Sequence, residues 1–132
     1  MSTFRLQAPR LRERDVAAQL TGFLRLKGYR VSRQQSGRFK TLDGQRIIHI
    51  GESGIPDYYC LHPLYPGFYL ETKAPAGAPS PAQIAKRREL VVMGIPVCTT
   101  ADLDTLTNFL GEHEARATAR WRKRLEECSA LK

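Results

Sequence analysis

The sequence predicts an α/β fold in which a mixed central sheet is flanked by helices, and three observations predict it. Segments of period-two alternation are interleaved with segments of helical apolar spacing. The stretch from Phe68 to Thr99 reads as strand, helix and strand, an order that implies a right-handed parallel crossover. Turn signals at Ser36-Gly37 and Asp43-Gly44 imply a hairpin-like excursion as well.

Residues 11–27 read as the first helix, with Val16, Leu20, Phe23 and Leu24 on one apolar stripe and Gly28 as the stop. At 100° per residue Glu13 falls about 60° from Val16, with the stripe, whereas Asp15 falls about 100° to the other side. Glu13 is therefore either an end-of-helix residue that escapes to solvent or a member of a buried site. Tyr29-Arg30-Val31 reads as a short strand and Arg46 to Ile50 as a second, with His49 alternating at a sheet edge. Asp57 to Leu61 is a third strand and Phe68 to Lys73 a fourth, joined through the turn His62 to Gly67.

After a small-residue loop, Ser80, Pro81 and Gln83 open the next helix as N-cap, first-turn proline and capping-box partner. Ile84, Val91 and Val92 are expected to form its apolar side and Gly94 to end it. Ile95 to Thr99 is a fifth strand. Leu103, Leu106 and Leu110 then mark a helix expected to be capped by Thr100 and stopped at Gly111. Ala115 to Leu125 either forms a basic helix anchored by Trp121 and Leu125 or frays.

Composition bounds the function. With 132 residues, one domain over 1–132 is expected, its core over about 11–111 and a basic C-terminal helix or tail over about 112–132. Apolar runs are only a few residues long and the Arg-rich start lacks a signal-peptide core, so no membrane role and a soluble, cytoplasmic setting are expected. Cys60, Cys98 and Cys128 fall in no CxxC spacing and read as reduced thiols, and His62 reads as a turn histidine. Net charge is +8, but it is uneven. Residues 1–46 carry 11 basic and 3 acidic side chains, residues 47–112 carry 4 and 7, and residues 113–132 carry 6 and 3. An acidic centre between basic arms suits a cation at the middle of a site and a phosphate backbone at its edges.

The acidic centre holds the residues that carry chemistry. Asp57 opens one strand and Glu71 lies 14 residues on, near the end of the next, a separation suited to adjacent strands around a short turn. Tyr69, Glu71 and Lys73 share one face of that strand. A phosphodiester repels its nucleophile and has an unstable leaving group, and a divalent cation answers both problems. Asp57 and Glu71 supply the carboxylates that Mg²⁺ or Mn²⁺ takes, the carbonyl of Thr72 is a further hard ligand, and a carboxylate from Glu13 can approach from the first helix. Lys73 can orient water, balance charge on phosphorus or, with a depressed pKa, act as a base. The competing reading of Glu71 and Lys73 is a weak surface ion pair.

Gly54-Ile55-Pro56-Asp57, then Phe68 to Ala74 with its Glu71-Thr72-Lys73, then Gln83, then Gly94-Ile95-Pro96-Val97, resemble the VRR-NUC branch of the PD-(D/E)xK nucleases. The resemblance runs from about Glu13 to Leu110 and rests on four separated segments in order. It implies a restriction-endonuclease-like fold, Asp57 and Glu71 as ligands to Mg²⁺ or Mn²⁺, Glu13 contributing to the metal site, and Lys73 assisting the water. It implies a place near the active site for Gln83, whose capping box is an equal structural explanation. Arg87, four residues on, shares that stripe and is a candidate phosphate contact, although the family often has an aromatic residue or lysine there.

The short free-standing members of that family, of phages and prophages, are homodimers acting on branched DNA such as four-way junctions. By resemblance this chain is expected to be a homodimeric junction-cleaving endonuclease of a bacterial or phage-infected cell. Basic side chains near the substrate path, among them Arg30, Arg33, Arg38 and Lys40, are expected to grip the DNA backbone. Two other readings stand beside it. One is a nucleic-acid-binding protein without hydrolysis, and the other a nuclease acting on duplex, flap or single-stranded DNA.

Overall fold

The computed structural model describes residues 12–35, 37–75 and 77–131. Over these described residues it is a mixed α/β structure of six strands and three helices: α1 (Glu13–Leu26), β1 (Arg30–Arg33), β2 (Gly37–Lys40), β3 (Ile47–Ile50), β4 (Tyr58–Leu61), β5 (Phe68–Thr72), α2 (Pro81–Val92), β6 (Val97–Thr100) and α3 (Leu103–Ala130). Four strands form the central sheet in the order β1-β4-β5-β6. β1 with β4 and β4 with β5 pair antiparallel, and β5 pairs parallel with β6 across the α2 crossover. β2 and β3 form a separate antiparallel ribbon. Its turn uses Gly44 at φ +71°, as the Asp43-Gly44 signal requires, while Ser36 of the other expected turn lies outside the described residues.

The core lies between the sheet and the α1/α3 layer. Val16, Leu20 and Leu24 from α1 meet Cys60, Phe68, Leu70 and Cys98 from the sheet and Leu106 and Leu110 from α3. Burial holds both sheet thiols protonated, with Cys60 pushed up to about 12 and Cys98 to about 11. His62 is a turn residue: its Nδ1 accepts from the Leu64 N–H at 3.0 Å and its ring packs on Tyr29 and Tyr65.

Three expectations need correction. α2 does not turn Ile84, Val91 and Val92 inward; all three are exposed and Leu90 is its buried residue. Gln83 and Lys86 share the inward face with Leu90, and Ile84 and Val91 lie about 100–120° away from it. α3 is capped by Asp102, which accepts from the Thr105 N–H at 2.7 Å, and not by Thr100, whose hydroxyl bonds the backbone of Asp102. It also runs through Gly111 without a break. One helical glycine costs about 1 kcal/mol, and Leu106 and Leu110 before it and His113 and Ala117 after it are all buried. The buried stripe outweighs the glycine.

The third correction concerns the basic C-terminal arm. α3 starts beside the carboxyl end of β6 and runs back along the sheet, so His113 and Ala117 reach Pro66 and Pro96 at the opposite end. Residues 118–131 project past that end, exposed throughout. Trp121 and Leu125 are not anchors within the chain, being 58% and 62% exposed.

Candidate active site

The site is built where β4 begins and β5 ends. The register pairs Tyr58 with Leu70 and Tyr59 with Tyr69, so one step further sets Asp57 opposite Glu71. Gly54, at φ +76°, makes the approach possible: a Cβ there would run into the carbonyl of Ala82 and the amide of Gln83. The loop before Asp57 therefore lies directly on the first turn of α2. Pro56 between them is fully buried.

Asp57 is oriented by the strand beside it. Its Oδ2 accepts from the Thr72 N–H at 2.9 Å and from the Thr72 hydroxyl at 3.2 Å. Thr72 thus steers a carboxylate through its donors, a role that the expected carbonyl ligand does not require. Glu71 is 2% exposed and its Oε1 has no hydrogen-bond partner among the described residues. Lys73 Nζ lies 3.7 Å from that oxygen, close enough for an ion pair and too far for a hydrogen bond. Burial holds the Glu71 carboxyl above the usual carboxylate range, Lys73 opposes that rise and the nearby Asp57 adds to it. The surface-ion-pair reading does not hold, because both groups are largely withdrawn from water.

Gln83 joins the helix to the lysine. Its Oε1 accepts from Lys73 Nζ and from the Ser80 N–H, each at 2.8 Å, while its own N–H donates to the Ser80 hydroxyl at 3.2 Å. The capping box and a contact with Lys73 are both present and share one oxygen. Lys73 is further fixed through its backbone, whose N–H donates to Thr100 O at 3.0 Å.

The remaining predicted residues divide. Glu13 is exposed at the start of α1 and lines a cleft of about 690 Å³ with Asp57 and Thr72, resolving the earlier alternative in favour of solvent while keeping it near the site. Arg33 is on the wall of that cleft. Arg30 lies three residues earlier on the same strand, and Arg38 and Lys40 belong to the β2–β3 ribbon, where Arg38 is placed by its backbone opposite His49. Arg87 is on the other side, donating to the Thr99 hydroxyl at 3.3 Å in a groove that Glu71 also lines.

Sequence reasoning missed Arg14 and Arg25, which line the Asp57 cleft with Ala18 and Thr21. Their signal was present: 14, 18, 21 and 25 recur at helical spacing on the side of α1 away from Val16.

No match emerges when the chain is compared with protein-family models and with curated proteins. The site must be read from its own chemistry. Among the described residues no group of three His, Cys, Asp or Glu side chains is gathered to hold a metal unaided. Two carboxylates stand opposite one another across β4 and β5, Glu71 with an unsatisfied buried oxygen and Asp57 on the wall of an open cleft. That donor set fits Mg²⁺ or Mn²⁺, which take one or two carboxylates and fill the shell with water and phosphate oxygens.

Proposed function

We propose that the protein is a Mg²⁺- or Mn²⁺-dependent endodeoxyribonuclease of the PD-(D/E)xK fold, VRR-NUC branch. The observation that carries the reading is Glu71 Oε1, a buried carboxylate oxygen without a hydrogen-bond partner among the described residues, set beside Asp57 and Lys73. A buried unsatisfied oxygen costs about 1–3 kcal/mol or more when charged, a cost a fold has reason to carry where a ligand completes the site. Asp57 and Glu71, with the Thr72 carbonyl and support from Glu13, are the residues that would hold the cation. It would supply charge neutralisation at the phosphate and a more acidic bound water.

The chain's own groups divide the remaining work. Lys73, fixed by Gln83, orients the attacking water and balances the negative charge that grows on the non-bridging oxygens. Thr72 keeps the Asp57 carboxylate turned toward the site. Arg14, Arg25 and Arg33 bind backbone phosphates along the cleft, and Arg87 binds on the α2 side. Branched DNA such as a four-way junction is the substrate we propose, with flap, duplex and single-stranded DNA as the comparisons that test it.

The test incubates the purified chain with each labelled DNA in Mg²⁺, Mn²⁺ or EDTA, alongside Asp57→Ala and Lys73→Ala. Metal-dependent cutting by wild type, lost in both variants, is expected. Binding without cutting would favour a non-catalytic nucleic-acid-binding protein, and cutting by Asp57→Ala would sink the site assignment.

A further inference from the structure

The apolar side of α2, turned away from the core, forms one wall of a groove that reaches Glu71. Measured around the helix from Leu90, Arg87 lies at about 60°, Val91 at about 100°, Ile84 at about 120° and Arg88 at about 160°. Two aliphatic side chains about two turns apart are thus bracketed by two guanidiniums, and all four residues are exposed. With Glu71 and Thr99, which stand side by side in the β5–β6 register, they line a groove of about 530 Å³. That size falls in the roughly 300–1,000 Å³ range of small-ligand sites. The groove ends at the carboxylate whose Oε1 is buried without a hydrogen-bond partner among the described residues.

We infer that this groove holds one unpaired nucleobase of the DNA strand under attack, that of the nucleotide next to the phosphate being cut. The inference rests on the nuclease reading and narrows its substrate. Ile84 and Val91 offer the base an apolar surface, as pockets for extruded bases do. Arg88 stands at the rim, where its guanidinium plane can cover the base, a stacking partner that every base accepts. Arg87, whose guanidinium donates to the Thr99 hydroxyl at 3.3 Å on the side nearer the sheet, meets the phosphate joined to that base. The groove is therefore apolar where a base is apolar and cationic where its phosphate is charged. A second copy seated on the same surface would set like guanidinium pairs against one another.

A paired base cannot reach the groove without leaving its stack, at a cost that is least where pairing is already lost. Branched DNA exposes such bases where its arms meet, whereas intact duplex keeps every base paired. The chain should accordingly cut beside an unpaired nucleotide.

The test is read by binding in EDTA, so no cutting is required. Aminopurine, an adenine analogue quenched by stacking, is placed in turn at each nucleotide around the branch of a four-way junction and titrated with the full chain. Fluorescence should rise at a nucleotide near the branch, next to the phosphate cut in Mg²⁺, and stay level at paired positions along the arms. Ile84→Ser with Val91→Ser, both at exposed positions, should melt at the wild-type temperature, abolish the rise and lower the ratio of junction to duplex affinity about tenfold or more. Arg88→Lys keeps the charge and loses the plane, so most of the rise should go with it. No responding position, or an affinity ratio unchanged in the double variant, overturns the proposal. So does self-association of wild type that the double variant abolishes, since a second copy then covers the groove. Metal-dependent cutting without a fluorescence response leaves the nuclease reading standing and removes the groove; a response without cutting does the opposite.

Discussion

Lys73 Nζ and Gln83 Oε1 meet at 2.8 Å, and the same glutamine oxygen also receives the Ser80 N–H. The lysine and the start of α2 therefore share one acceptor. Gln83→Ala removes that acceptor and frees the ammonium to wander. Cleavage should fall about 10²-fold from misplacement. Ser80→Ala keeps Gln83 but loses the cap, so it should cost about 1 kcal/mol of stability and little activity. Thermal melts and single-turnover rates on the two variants separate the roles.

Lys73→Ala should lower single-turnover cutting by about 10²–10⁴-fold while leaving DNA affinity nearly unchanged. Arg33→Ala should do the reverse, weakening binding and reducing its salt dependence. Filter binding at several salt concentrations, paired with rates, distinguishes a residue of the chemistry from one of the cleft wall.

Glu71 predicts a pH dependence. A carboxyl raised on folding holds its proton more tightly in the native state than in the unfolded chain. In EDTA the native protein should thus lose stability as pH rises from the ordinary carboxylate range through the raised value, with no further change from this group above it. Glu71→Gln should remove that slope and raise the melting temperature in EDTA at neutral pH. Added Mg²⁺ should stabilise wild type and not the variant. A flat wild-type profile, or equal Mg²⁺ effects, would count against a strained carboxylate.

Gly54→Ala should be disproportionately harmful for one added methyl. Its φ of +76° disfavours any side chain, and a Cβ there meets backbone atoms of Ala82 and Gln83 that cannot swing aside. A loss of about 2–3 kcal/mol is expected, read as a lower urea midpoint, with cleavage reduced at temperatures where the variant remains folded.

Thiol titration offers a check on the core. Cys60 and Cys98 are buried and held protonated, whereas Cys128 is exposed. An aromatic disulfide reagent should modify one thiol in the native monomer and three after unfolding. Fast modification of two would contradict the packing of the sheet.

The legible parts of this chain were those that local chemistry dictates. Ser80, Pro81 and Gln83 wrote out a helix start and the structure has it; Asp57, Glu71 and Lys73 fell together because strand alternation and turn length allow little else. The errors arose where tertiary context overrode local signals. Gly111 reads as a stop because nothing local reveals that His113 packs on Phe109 and donates from Nε2 to Pro66 O. α2 was turned the wrong way because its inward face mixes Leu90 with Gln83 and Lys86, and polarity alone points such residues outward. Strand β2 was missed because Gly37 to Lys40 carries little β-branched signal and exists through its pairing with β3.

Every side chain assigned to the chemistry lies at or before Gln83, apart from the phosphate contact Arg87, yet the backbone of Lys73 is held by Thr100 and β5 leans on β6 along its length. Parallel pairing of that kind must close a loop that includes the whole intervening helix, which makes it slow to form. A chain still missing Val97 to Thr100 would possess the acids, the lysine and the glutamine without the frame that aligns them. In the proposed nuclease, the candidate site would therefore be assembled only when the last strand, Val97 to Thr100, is in place.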